Sequence, residues 1–146
     1  SGTLLACGSH GDLVHVRPSS HEEVSWGKTG HLYALARTES GGAYAVGSGG
    51  HALNISTATS LASVPAADLV ASLEAVQTTR DLVAVTIDPN GVAWAVGQSA
   101  RLLERKAGTW TRHPVVGTDS NLVALRAGAR SITLLSEDGA VIEATR

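Results

Sequence analysis

Methionine and phenylalanine are absent from the 146 residues, and cysteine occurs once. A lone Cys7 cannot close an internal disulfide, so no oxidising framework is written into the chain and its redox compartment stays open. Without a methionine at its start, the chain opens Ser1-Gly2. That opening reads as a cleavage boundary or an appended scar, and the expectation is a segment of something longer.

Charge of one sign is also missing. The net charge is -2, and no run of Lys or Arg supplies the electrostatic footprint that a nucleic-acid partner requires. Long apolar runs are lacking too. Stretches such as Leu32-Tyr33-Ala34-Leu35-Ala36 fall well short of the ~20 residues that span a bilayer as a helix. These absences predict a soluble chain with neither a nucleic-acid nor a membrane partner, and the length suits a single domain over 1–146.

What is present is repetition. GVAWAVG from Gly91 nearly copies GGAYAVG from Gly41. Four segments align without gaps: TLLACGSHGDLVH from Thr3, GAYAVGSGGHALN from Gly42, VAWAVGQSARLLE from Val92 and SITLLSEDGAVIE from Ser131. Gly8, Gly47, Gly97 and Ser136 hold the common register. The first and last spacings are equal, and the middle one is longer by about eleven residues, so one unit has been copied with an insertion.

Each copy reads as apolar run, polar pair, small residue, apolar run, which is the pattern of a β-hairpin. The turns fall on Ser9-His10-Gly11, Ser48-Gly49-Gly50, Gln98-Ser99-Ala100 and Glu137-Asp138-Gly139. Glycine tolerates positive φ at the last turn position, so Ala100 predicts a different turn in the third copy. A strand precedes the hairpin in three copies, at His31-Leu32-Tyr33-Ala34-Leu35, Asp81-Leu82-Val83-Ala84-Val85 and Asn121-Leu122-Val123-Ala124-Leu125. Its alanines suit a strand packed on both faces. An outer strand follows the hairpin at Thr109 to His113, and more loosely at Glu23 to Trp26.

Four strands in a unit of ~40 residues is the signature of a β-propeller blade. With strands lettered A to D from the axis outward, the chain reads B-C-D, A-B-C-D, A-B-C-D, A-B-C. The expected fold is therefore all-β and propeller-like, with about three to four four-stranded blades and incomplete terminal ones. The units lie near 1–30, 31–80, 81–120 and 121–146. Such a chain leaves edges open, and the expectation is closure by a homo-oligomer or by the rest of a parent chain. The insertion contains Pro65 and an apolar stripe at Leu69, Val70, Leu73 and Val76, which predicts a short helix near 65–78 on the rim.

Leu82-Val83-Ala84-Val85, Trp94-Ala95-Val96-Gly97, Leu102-Leu103 and Gly108-Thr109-Trp110 together resemble the repeat rhythm of BNR-like propellers, the group that includes photosystem II assembly factors. The resemblance implies a propeller scaffold. The sialidase Asp-box is not matched, because Ser136-Glu137-Asp138-Gly139 has its beginning and lacks its tryptophan.

No nucleophile elbow, zincin helix, phosphate loop or dinucleotide fingerprint is present, and no cofactor is expected. Cys7, His10 and His15 fall on strand, turn and strand, where they are not presented on one face, so no metal site is expected. Glu22-Glu23 and Glu137-Asp138 are adjacent pairs that point apart on extended chain, and read as solvated charges. Trp94 belongs to the core by its small neighbours, and Trp110 reads as packing between blades.

Topology supplies the candidate surface. The B to C turns and the D to A loops share one face, and the first residue of each A strand stands nearest the channel. Those residues are His31, Asp81 and Asn121, with Arg80, Asp119, His10, Gln98 and Asp138 around them. Two accounts compete for this ring: local satisfaction of backbone groups at strand entry, and ligand or partner binding. The leading functional expectation is a non-catalytic protein-binding module. The alternatives are a lectin-like carbohydrate binder, which the inequivalence of His10, Gly49, Ser99 and Asp138 opposes, and a hydrolase with its site at the channel mouth.

Overall fold

The computed structural model describes residues 4–27, 29–57 and 69–145. Among the described residues, fourteen strands form four antiparallel sheets. The first sheet is β1 (Leu4–Cys7), β2 (Leu13–Arg17) and β3 (Ser20–Glu23). The second is β4 (Leu32–Arg37), β5 (Ala43–Gly47), β6 (Ala52–Thr57) and β7 (Leu69–Glu74). The third is β8 (Leu82–Ile87), β9 (Ala93–Gly97), β10 (Arg101–Lys106) and β11 (Thr109–His113). The fourth is β12 (Leu122–Ala127), β13 (Ser131–Ser136) and β14 (Val141–Thr145). Strands within each sheet are neighbours in chain order. The expected lettering therefore holds, with no A strand in the first sheet and no D strand in the fourth among the described residues. The four sheets are propeller-like and do not close into a ring.

Two expectations need correction. Leu69, Val70 and Leu73 lie on a strand, not a helix: β7 pairs antiparallel with β6 from Leu69 opposite Thr57 to Glu74 opposite Ala52. An apolar stripe of six residues fits both periods, and the free outer edge of β6 offers a full ladder of backbone partners, which a short helix on the rim would leave to water. Residues 65–68 of the expected helix lie outside the described residues. The outer strand of the first sheet is also earlier than expected, at Ser20–Glu23 and wholly exposed, while Val24 and Trp26 beyond it are buried. Trp26 donates its indole N–H to the Gly11 carbonyl at 2.7 Å, which draws the segment inward rather than along the edge.

Every A strand carries a register shift at the same place, between Leu32 and Ala34, Leu82 and Ala84, and Leu122 and Ala124. The bulge brings the backbone before each A strand against the end of its B strand. A Cβ at Gly47 would collide with the His31 carbonyl, and one at Gly97 with the Asp81 carbonyl. Close backbone approach is thus the reason for glycine at positions 47 and 97, whereas a Cβ at Gly8, which has no A strand beside it among the described residues, would meet nothing.

The core lies between sheets rather than within them. Each sheet has a leading face, turned to the sheet before it, and a trailing face, turned to the one after. Leu13 of the first sheet packs with Ala43, Ala45, Leu53 and Ile55 of the second. Val46 and Ala52 of the second pack with Ala93, Ala95, Leu103 and Trp110 of the third. Trp94, Val96 and Leu102 of the third pack with Ile132 and Leu134 of the fourth. Leu32, Leu82 and Leu122, one per A strand, complete these three seams. Trp110 stands between blades as its strand position implies, and full burial of a side chain of this size contributes roughly 1.5–3 kcal/mol.

Candidate functional site

At the B to C turns, the third copy does not behave as its alanine implies. His10 and Gly11 have φ of 58° and 77°, Gly49 and Gly50 of 63° and 76°, and Ser99 and Ala100 of 54° and 51°. Ala100 adopts the left-handed conformation that glycine holds in the first two copies, and its amide donates to the Ser120 carbonyl at 3.0 Å. The expected different turn occurs in the fourth copy instead, where only Gly139 has positive φ. There Ser136 replaces the register glycine. Its hydroxyl donates to the Asp138 carboxylate and accepts from the Ala140 amide at 3.0 Å.

The paired left-handed residues aim the middle amide of each turn at the next blade. His10 N–H donates to His31 Nδ1 at 3.0 Å, Gly49 N–H to Asp81 Oδ1 at 2.8 Å, and Ser99 N–H to Asn121 Oδ1 at 2.9 Å. Imidazole, carboxylate and carboxamide perform the same task, because each offers an acceptor at the same reach. Within its own blade the same residue accepts a turn amide through its carbonyl: His31 from Ser48 at 2.9 Å, Asp81 from Gln98 at 3.0 Å and Asn121 from Glu137 at 2.9 Å. The three residues are therefore inter-blade staples. The acceptor function foreseen for Asp81 and Asn121 is served across a seam, not within a local turn.

The remaining candidates fall around these staples. The rings of His10 and His31 meet edge-on at 5.6 Å, and Gln98 Oε1 accepts from the Asp81 amide at 3.4 Å. Asp138 accepts from the Ser120 hydroxyl at 3.0 Å. Hydrogen bonds from Ser136, then Ser120, then the Ala140 amide hold the Asp138 carboxyl below its ordinary range of 3.8. Arg80 is exposed and lines a shallow depression with Gln77, Thr79 and Arg101. Asp119 is exposed. The eight residues share one loop face, as the strand order requires, but His31, Asp81 and Asn121 are each tied to a different seam.

Cys7 and His15 share a face, because Cys7 lies opposite Leu13 and Leu5 opposite His15 in the β1–β2 register, while His10 stands apart in the Ser9–Gly11 turn. Burial pushes the Cys7 thiol up, which favours its neutral form. Among the described residues, no three His, Cys, Asp or Glu side chains converge as a cation site would need, and no helix is long and apolar enough to cross a membrane.

Two features escaped the sequence reading. On the opposite face, at the A to B turns, Arg37, Glu39, Tyr44, Asp88 and Asn90 border an open groove of about 820 Å³. Asp88 is buried there, accepting from the Asn90 and Val92 amides at 2.7 and 3.1 Å and from the Trp94 indole at 3.1 Å. The Pro89-Asn90-Gly91 signature could have located the turn, but not its hold on Trp94.

The second feature is a half-buried ion pair across the second seam. Arg105 of β10 grips Glu74 of β7 through two bonds, of 2.7 and 2.6 Å. The same guanidinium donates to the Tyr44 hydroxyl at 3.0 Å and lies 4.6 Å over its ring, while the Trp110 indole donates to Glu74 at 2.7 Å. The Glu74 bonds raise the Arg105 pKa above its ordinary value despite burial.

No family model matches the chain, and no curated protein matches it in sequence. Solved structures do. Virginiamycin B lyase from Staphylococcus aureus superposes with a TM-score of 0.65 at 11% identity, covering 98% of this chain and 55% of that one. A streptogramin B lyase structure gives 0.62 at 11% identity over 98% and 54%. YCF48 from Cyanidioschyzon merolae gives 0.66 at 15% identity over 97% and 50%. The chain spans about half the length of these structures. At such identities the likeness establishes fold: this is a β-propeller architecture.

Proposed function

We propose that the chain is a non-catalytic propeller module that binds protein through its uncovered terminal sheets and its loop faces. One observation carries this reading. The polar residues at the A-strand starts are engaged in holding blade to blade, whereas the outward faces of the first and fourth sheets present exposed apolar side chains. Leu4, Val123, Leu135 and Val141 are the large exposed aliphatics of those sheets, and contiguous apolar surface marks interaction sites. The BNR-like rhythm from Leu82 to Trp110 agrees with this reading. The likeness to YCF48, as to the two lyases, supports the propeller scaffold alone.

Two measurements test it. An apolar fluorescent dye such as anilinonaphthalene sulfonate should bind the dilute chain, and Leu4→Arg combined with Leu135→Arg should remove most of that signal. Dye binding indifferent to both substitutions would show that the terminal sheets are not the open surface. In parallel, chromogenic ester, phosphate and glycoside substrates should show no turnover. Turnover abolished by Asp81→Asn in a folded chain would overturn the non-catalytic reading.

A further inference from the structure

We infer, resting on that reading, that the protein bound at the terminal sheets is a second copy of this chain, docked head to tail. The internal seams supply the argument, because they show three times what each face is built to meet.

Leu4 of the first sheet stands in register with Ala43, Ala93 and Ile132, and Ala6 with Ala45, Ala95 and Leu134. In the second, third and fourth sheets these leading-face residues are 0–3% exposed, each packed on the sheet before it. Leu4 is 68% exposed. Val14 and Val16 share its face, opposite Ala6 and Leu4 in the β1–β2 ladder, and are likewise incompletely buried.

The fourth sheet presents the other half of the same seam. Leu135 stands in register with Val46 and Val96, and Val141 with Ala52 and Leu102. Those four trailing-face residues are 0–4% exposed, but Leu135 is 38% and Val141 65% exposed. Leu135 and Val141 lie opposite each other on β13 and β14, with Ala124 of β12 on the same face.

Among the described residues, the first sheet thus leaves a leading face open and the fourth a trailing face, the two surfaces that bury each other at every internal seam. A second copy presents both. Its Leu4, Ala6, Val14 and Val16 meet Leu135, Val141 and Ala124 of the first, and Leu4 brings more apolar volume than the alanines at its place in the second and third sheets. Contact between unlike faces is heterologous, so it repeats until the rotation closes. Two copies supply eight sheets, at the upper end of the four to eight blades from which closed propellers are typically built.

Light scattering over a concentration series is the test. The expected mass is twice the 14.9 kDa of the chain. Leu4→Arg, which spoils only the leading face, and Val141→Arg, which spoils only the trailing face, should each give a monomer. An equimolar mixture of the two retains one intact seam and should recover a one-to-one dimer. Both positions are solvent-facing, so folding should survive, as circular dichroism will verify; Ala6→Glu and Leu135→Glu form a second pair for the same mixing experiment. Three results would overturn the inference: a wild-type monomer throughout, a dimer insensitive to either substitution, or two monomeric variants that fail to recombine. A monomer that still binds the apolar dye would refute the second copy and leave the terminal sheets open to a different protein.

Discussion

Asp81 is a single carboxylate serving a single amide, that of Gly49 in the preceding blade. Removing the acceptor in Asp81→Ala should lower stability by about 1–2 kcal/mol in urea unfolding, whereas Asp81→Asn should stay close to wild type, because Asn121 performs the same task in the next seam. Asp138 permits a second test at this scale. Its folded pKa lies below the ordinary 3.8, so its contribution to stability is complete above the unfolded value and is lost as pH falls through the folded one. NMR titration should place its midpoint below 3.8, and Ser136→Ala, which removes the first of its hydrogen bonds, should move that midpoint upward. An unchanged midpoint would assign the shift to another cause.

Among elements, the third B to C turn carries the clearest local strain. Ala100 holds a φ of 51°, which costs an L-residue roughly 1–2 kcal/mol relative to glycine. Ala100→Gly should therefore raise stability by about 0.5–1 kcal/mol once the greater backbone freedom of glycine in the unfolded chain is set against the gain. A loss on substitution would mean that packing of the Ala100 methyl outweighs its backbone strain. The same scale shows why part of the fold was legible and part was not. The hairpins were readable because alternation and turn residues are local, and the A strands because polar-Leu-x-Ala recurs three times. β7 was misread because Leu69, Val70 and Leu73 satisfy two periods at once, and the deciding partner, β6, precedes an insertion.

For the molecule as a whole, stability resides in seams, and the second seam is the most elaborate. Glu74 and Arg105 are 15% and 14% exposed, so deleting one partner leaves a half-buried charge without its bidentate bonds. Glu74→Ala should cost about 1.5–3 kcal/mol, while Glu74→Leu combined with Arg105→Met should recover most of that loss. Denaturation of the two variants distinguishes a pair that sets the fit of two blades from one that merely decorates their contact. Because the seams act in series, this loss should destabilise the array as a whole and leave the local geometry of the first and fourth sheets intact.

By itself the sequence determined the all-β class, the hairpins and the A strands, and a count of about three to four blades, because these follow from period-two alternation, turn chemistry and equal spacing, all readable within ~40 residues, whereas β7 needed its partner β6. It also determined that Trp94 and Trp110 belong to the interior. Tertiary structure alone decided what the polar residues at the A-strand starts do. His31, Asp81 and Asn121 meet amides 21, 32 and 22 residues earlier in the chain, and an acceptor carries no local mark of which donor a neighbouring blade will bring to it. The Glu74 and Arg105 pair has the same origin: two charges 31 residues apart become partners only when the leading face of one sheet is laid on the trailing face of another.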